Sequence, residues 1–148
     1  MNIKIIIFCI IAILFNSCTN NATGIEGASK LIRTLIDADN KSDIKTVLQS
    51  YADTVEFHSA GKPPLKGIDN IRNSYEKLFK ENRFNLATEI KETKVEGNTV
   101  IIKGINTGSL QSIADSSIKK INDNYTAFLI KDKSGNWKII RLEWAPID

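Results

Sequence analysis

The sequence predicts an α+β domain in which three helices pack on a mostly antiparallel sheet. Three observations carry that expectation. Apolar residues recur at helical spacing through much of the chain before Asn82 and at a spacing of two after it. The later segments follow one another through short polar turns, the pattern of an antiparallel meander. Helices and strands are segregated along the chain, which defines the α+β class. The 148 residues are 42% hydrophobic and 25% charged, enough for one core that needs neither disulfide nor metal. The net charge of +3 is dispersed, with no basic stripe that would mark a nucleic-acid surface.

Ile5 to Phe15 is an unbroken apolar run of eleven residues behind Lys4. It falls short of the roughly 20 apolar residues needed to cross a bilayer and matches the apolar stretch of a secretory signal. Residues 1–17 are therefore read as a signal peptide and excluded from the domain. Leu14-Phe15-Asn16-Ser17-Cys18 resembles a bacterial lipobox, which implies acylation of Cys18. The other cysteine, Cys9, lies inside the run, so a cleaved chain would hold no disulfide and one otherwise exposed thiol. Residues 18–27, small and polar, are expected to tether the domain to its lipid anchor. The expected address is the cell envelope, at the outer membrane rather than the inner, because Thr19 follows the cysteine where inner-membrane retention uses Asp.

The domain proper is expected to span residues 28–148. Ala28, Leu31, Ile32, Leu35 and Ile36 form the stripe of a first helix with one buried face. A second helix starts near Ser42, with Asn40 or Ser42 as its N-cap and Ile44, Val47, Leu48 and Tyr51 on one side. Thr54 to His58 alternates as a strand, and Gly61, Pro63 and Pro64 mark a turn with an extended return. Ile68, Ile71, Tyr75, Leu78 and Phe79 form a third helical stripe. Phe84, Leu86, Thr88 and Ile90 then share a strand face, and Glu96-Gly97-Asn98 turns the chain. Val100, Ile102, Gly104, Asn106, Gly108 and Leu110 share a face of the next strand. Ser112 to Asn122 is expected to be a polar loop. Tyr125 to Lys131 and Trp137 to Ala145 are the last two strands, joined by a turn at 133–136.

The order of Tyr51-Ala52-Asp53, Thr54-Val55-Glu56, the Gly61 turn, Gly67 before a helix ending near Phe79, and a Gly135-x-Trp137 hairpin resembles the nuclear transport factor 2-like superfamily. Within it the chain is similar to the SnoaL-like and ketosteroid-isomerase-like bacterial proteins. The resemblance covers roughly residues 25–148. It implies a cone-shaped α+β barrel, with a bent sheet wrapped on the helices around a pocket, and a homodimer formed through the sheet. The isomerases of that family carry a general-base Asp directly after the Thr-Val-Glu strand, where this chain has Phe57. Their oxyanion-hole Tyr on the first helix has no counterpart between Ile32 and Asp39. Proton abstraction beside a ketone needs both groups, so steroid isomerisation is excluded and the deep end of the cone is expected to be apolar and free of titrating groups.

His58, the sole histidine, is the substitute candidate base, although alternation turns it away from a cone that receives Phe57. Phe57, Thr88, Asn106, Tyr125 and Trp144 are the candidate ligand-binding residues, with Asn106 between two glycines that either leave room for a ligand or permit a bend. Trp137 and Arg141 share one face of the last strand and Trp144 the other, so one set alone is expected to look inward. One histidine and no paired Cys or His spacing leave no zinc site, and no Gly-rich phosphate loop is present. No cofactor is expected. The leading expectation is an envelope-tethered, non-catalytic module for a small hydrophobic ligand. The others are an isomerase or hydro-lyase using His58 or Glu92, and a dimeric interaction scaffold.

Overall fold

A computed structural model of the chain describes residues 16–147, with side chains from residue 24 onward. The apolar run at 5–15 and the side chain of Cys18 lie outside the described residues. The chain forms α1 (Asn16–Lys41), α2 (Ile44–Ser50), β1 (Tyr51–Ser59), β2 (Leu65–Lys66), α3 (Ile68–Glu81), β3 (Asn82–Glu96), β4 (Thr99–Ser112), β5 (Ile118–Lys131) and β6 (Trp137–Pro146). Among the described residues no helix is long and apolar enough to cross a membrane.

The helix expected from residue 28 begins at least at Asn16, so the backbone of the 18–27 segment is helical. Gly24 and Gly27 press against Trp137, leaving a Cβ on Gly27 only 2.7 Å from the indole nitrogen. Ala28, Ile32, Leu35 and Ile36 are buried along α1. Helix α2 is capped by neither Asn40 nor Ser42. Asp43 caps it, accepting from Thr46 N at 3.2 Å and Thr46 Oγ1 at 2.6 Å. Asn40 instead clips α1 to β3, donating to Leu86 O at 2.8 Å and accepting from Leu86 N at 2.7 Å. Tyr51, expected on α2, opens β1, because Tyr51 is already extended (φ −104°, ψ 151°).

The six strands run in the order β2-β1-β6-β5-β4-β3. β3 to β6 are an antiparallel meander, but β1 pairs parallel to β6, so the sheet is mixed. It is open, with β2 and β3 as its edges, rather than closed on itself. The predicted loop 112–122 shrinks to a tight turn. β5 begins at Ile118, paired with Gln111, and its polar first half is held by the β4 ladder rather than by burial. Gly108, at φ +138°, presses its backbone on Asn85 and Leu86 of β3, a conformation and a closeness that only glycine tolerates. Gly104 makes room for the Tyr125 ring, whose hydroxyl would lie 2.5 Å from a Cβ there.

β6 departs from strict alternation. Ile139 pairs with Leu129 and Arg141 with Phe128, so Ile140 is an extra residue and forms a bulge. The bulge shifts the pleat by one. Trp137 before it and Trp144 after it therefore both pack on the core. Arg141 lies over the ring of Phe128 and pairs with Glu143. The expectation that only one of these sets looks inward is overturned for this reason.

Candidate functional site

Helices α1 and α3 and the concave face of the sheet enclose a cavity of about 310 Å³. Its wall is mostly apolar: Ile32, Leu35 and Ile36 from α1, Leu78 from α3, Phe84 and Leu86 from β3, Leu142 from β6. Aromatic rings gather around Phe57, with Tyr51 at 4.9 Å, Trp144 at 5.5 Å and Tyr75 at 6.3 Å between centroids. These edge-to-face contacts fix the rings as rigid walls. A larger trough of about 540 Å³ between α1 and the start of β6, lined by Lys30, Trp137 and Lys138, opens to solvent and is lined by no buried ionisable group among the described residues. The smaller cavity is the one lined by a buried ionisable group.

The cavity contains a buried carboxyl group that residue patterns alone did not single out. Asp39 is 7% exposed and lines the cavity from the C-terminal end of α1. Its pKa is pushed up to about 8, first by burial, with a hydrogen bond from Tyr75 acting in the opposite direction. At pH 7 it is therefore largely a neutral carboxylic acid able to donate a hydrogen bond. The Tyr75 and Tyr51 hydroxyls lie 3.1 Å apart, so Asp39, Tyr75 and Tyr51 form one buried polar chain. Burial, and then the nearby Asp39, hold both phenols well above their usual range. Asp39 Oδ1 has no partner among the described residues. The expectation of a deep end without a titrating group is thus corrected, and the cavity also holds two phenols, Tyr51 from β1 and Tyr75 from α3.

The remaining candidates divide between the two faces of the sheet. Phe57, Asn106, Tyr125 and Trp144 all line the cavity. Thr88 stands behind it, donating to the Tyr125 hydroxyl at 3.1 Å. His58 lies outside with Glu56, at 3.0 Å from Glu56 Oε2, while Lys66 holds the other carboxylate oxygen at 2.7 Å. The hydrogen bonds of these two side chains, Lys66 first, keep the Glu56 carboxyl below its ordinary range. Phe57 and His58 are strand neighbours, so burial of one exposes the other. Glu92, the alternative carboxylate, is exposed and pairs with Lys103 at 3.0 Å. Among the described residues no group of three or more His, Cys, Asp or Glu side chains is placed to hold a metal ion.

Asp39 had a signal in the sequence. The stripe Ile32, Leu35, Ile36 continues by seven, four and three residues to position 39, so a carboxylate occupied the next place on the buried face. Tyr51 and Tyr75 were legible as buried aromatics, but their meeting depends on how α3 crosses β1, and periodicity carries no such information.

A bent sheet wrapped on three helices around an aromatic cavity defines a cone-shaped α+β fold. A SnoaL-like domain matches residues 32–131, and the chain belongs to that family. Solved structures agree in fold. A ketosteroid isomerase-like protein from Erwinia carotovora atroseptica is 22% identical with a TM-score of 0.76, covering 84% of this chain and 96% of its own. A nuclear transport factor 2-like superfamily protein from Salmonella enterica serovar Typhimurium is 12% identical, TM-score 0.76, with 86% and 94% covered. No curated protein matches the chain.

Proposed function

We propose that this SnoaL-like domain binds a small, largely apolar compound bearing an acceptor oxygen and acts on it by general acid catalysis of the isomerase or hydro-lyase type. One observation carries the reading: a neutral carboxylic acid, Asp39, faces an apolar cavity with one oxygen unpartnered among the described residues and Tyr75 on the group. A proton donor whose pKa lies near the working pH is the form that general acid catalysis needs. Asp39 donates its proton to the ligand's carbonyl oxygen while a solvent water takes the α-proton, the C–H electron pair forming the enol double bond. The Tyr75–Tyr51 pair steadies the Asp39 carboxylate until solvent returns a proton to it. The low-dielectric surroundings strengthen each of these interactions.

The test follows deuterium exchange of the α-protons of 2-indanone in D₂O by NMR. Wild-type protein should accelerate exchange over buffer, and Asp39→Asn should lose most of that acceleration while still folding. Absence of acceleration by the wild type would overturn the catalytic reading and leave non-catalytic binding. That second reading is favoured by Phe57, which occupies the position where the resembling isomerases carry their base. We further propose that the chain is exported and held at the bacterial envelope through Cys18. Cys18→Ser should move the protein out of the membrane fraction, and unchanged recovery in membranes would refute the anchor.

A further inference from the structure

Two polar atoms buried at the cavity have no partner among the described residues: Asp39 Oδ1 on the helix wall and Asn106 Oδ1 on the sheet wall. Asp39 is used by the function proposed above. Asn106 is not, and its isolation is specific. Thr88 on one neighbouring strand is in register with it but spends its hydroxyl on Tyr125. Asp123 on the other neighbouring strand is also in register and lines the same cavity, so a carboxyl group lies beside the amide oxygen. An acceptor left unpaired in a folded interior costs stability. A leucine would fill the same space without that cost.

We infer that the ligand carries a hydroxyl group, received by Asn106 Oδ1 beside Asp123, in addition to the oxygen received by Asp39, so that the substrate class is a hydroxylated, ring-sized carbonyl compound. The inference rests on the Asp39 reading and adds a second point of recognition on the sheet. Oxygen acceptors on Asn106 and Asp123 select a hydrogen-bond donor. Lys119, on the same strand face as Asp123 and also lining the cavity, disfavours an ammonium and leaves a neutral hydroxyl. The 310 Å³ available equals about ten waters at ~30 Å³ each, room for a substituted ring.

The experiment measures affinities of acetophenone, 3-hydroxyacetophenone and 4-hydroxyacetophenone by calorimetry. With wild-type protein, at least one hydroxylated probe should bind about tenfold more tightly than acetophenone, the gain of one well-placed hydrogen bond. Asn106→Leu should abolish that gain and leave acetophenone affinity at or above its wild-type value. Asn106→Ala provides the same comparison with a smaller side chain should Asn106→Leu fold poorly. Asp39→Leu should weaken all three probes alike and keep the hydroxyl preference. Equal binding of the three probes to wild type, or a preference that survives both Asn106 variants, overturns the inference. Acetophenone affinity indifferent to Asp39→Leu overturns instead the reading beneath it, and no binding of any probe overturns both.

Discussion

Asp39 titrates near 8 in the folded domain against an ordinary value of 3.8, so between those values the folded chain holds a proton that the unfolded chain releases. Stability tied to this group is complete below about pH 4, falls as pH rises and levels off above about pH 8. Each pH step of one between these limits removes ~1.36 kcal/mol, and the loss accumulated by pH 7 is roughly 4 kcal/mol. Asp39→Asn removes the titration while keeping the shape. Urea unfolding at pH 5, 6, 7 and 8 should show a flatter profile for the variant and a gain of a few kcal/mol at pH 8. Asn106→Leu acts in the same direction for another reason: it deletes an unpaired buried amide oxygen, and should raise the melting temperature by about 2–5 °C. Both substitutions exchange function for stability, as sites built for a ligand commonly do. Strand alternation sorted Phe57 from His58 and put Asn106 on one face of its strand, and Phe57, Asn106 and Tyr125 line the cavity, whereas Trp144 reaches it only past the bulge at Ile140. The polar chain of Asp39, Tyr75 and Tyr51 was missed because its members come from three different elements.

The helical stripes and the β3–β4 ladder could be anticipated because one local period, read over many residues, determines which face is buried. Leu35, 4% exposed at the centre of the α1 stripe, tests this directly. Leu35→Asp would bury an unpaired charge, at a cost of several kcal/mol out of the ~5–15 that hold a domain together. Loss of the cooperative thermal transition is the expected result. Local period fails where a ladder or a bulge overrides it. The polar half of β5 is a strand through its pairing with β4, and Ile140 of β6 changes which side chains face inward without any change in composition. Gly108 carries the tightest constraint of the sheet, with φ +138° and its backbone against Asn85. Gly108→Ala should destabilise by more than about 2 kcal/mol, measured by urea unfolding, because strain and overlap act together.

The parallel pairing of β1 with β6 was the part of the architecture that residue patterns could not supply, since the two strands lie about eighty residues apart and each reads locally as an ordinary strand. The family resemblance supplied a bent sheet over helices, and the structure adds that the last strand is seated in its interior, between β1 and β5. That seating sets a timetable for synthesis. β1 ends at Ser59, and its parallel neighbour begins only at Trp137. At ~5–20 residues per second the ribosome needs roughly 4–16 s to cover the interval. Throughout it the edge of β1 that faces β6 has no partner strand. The sheet therefore cannot be completed until nearly the whole domain has emerged, and until then β1 offers an open edge to a holding chaperone or to a neighbouring chain.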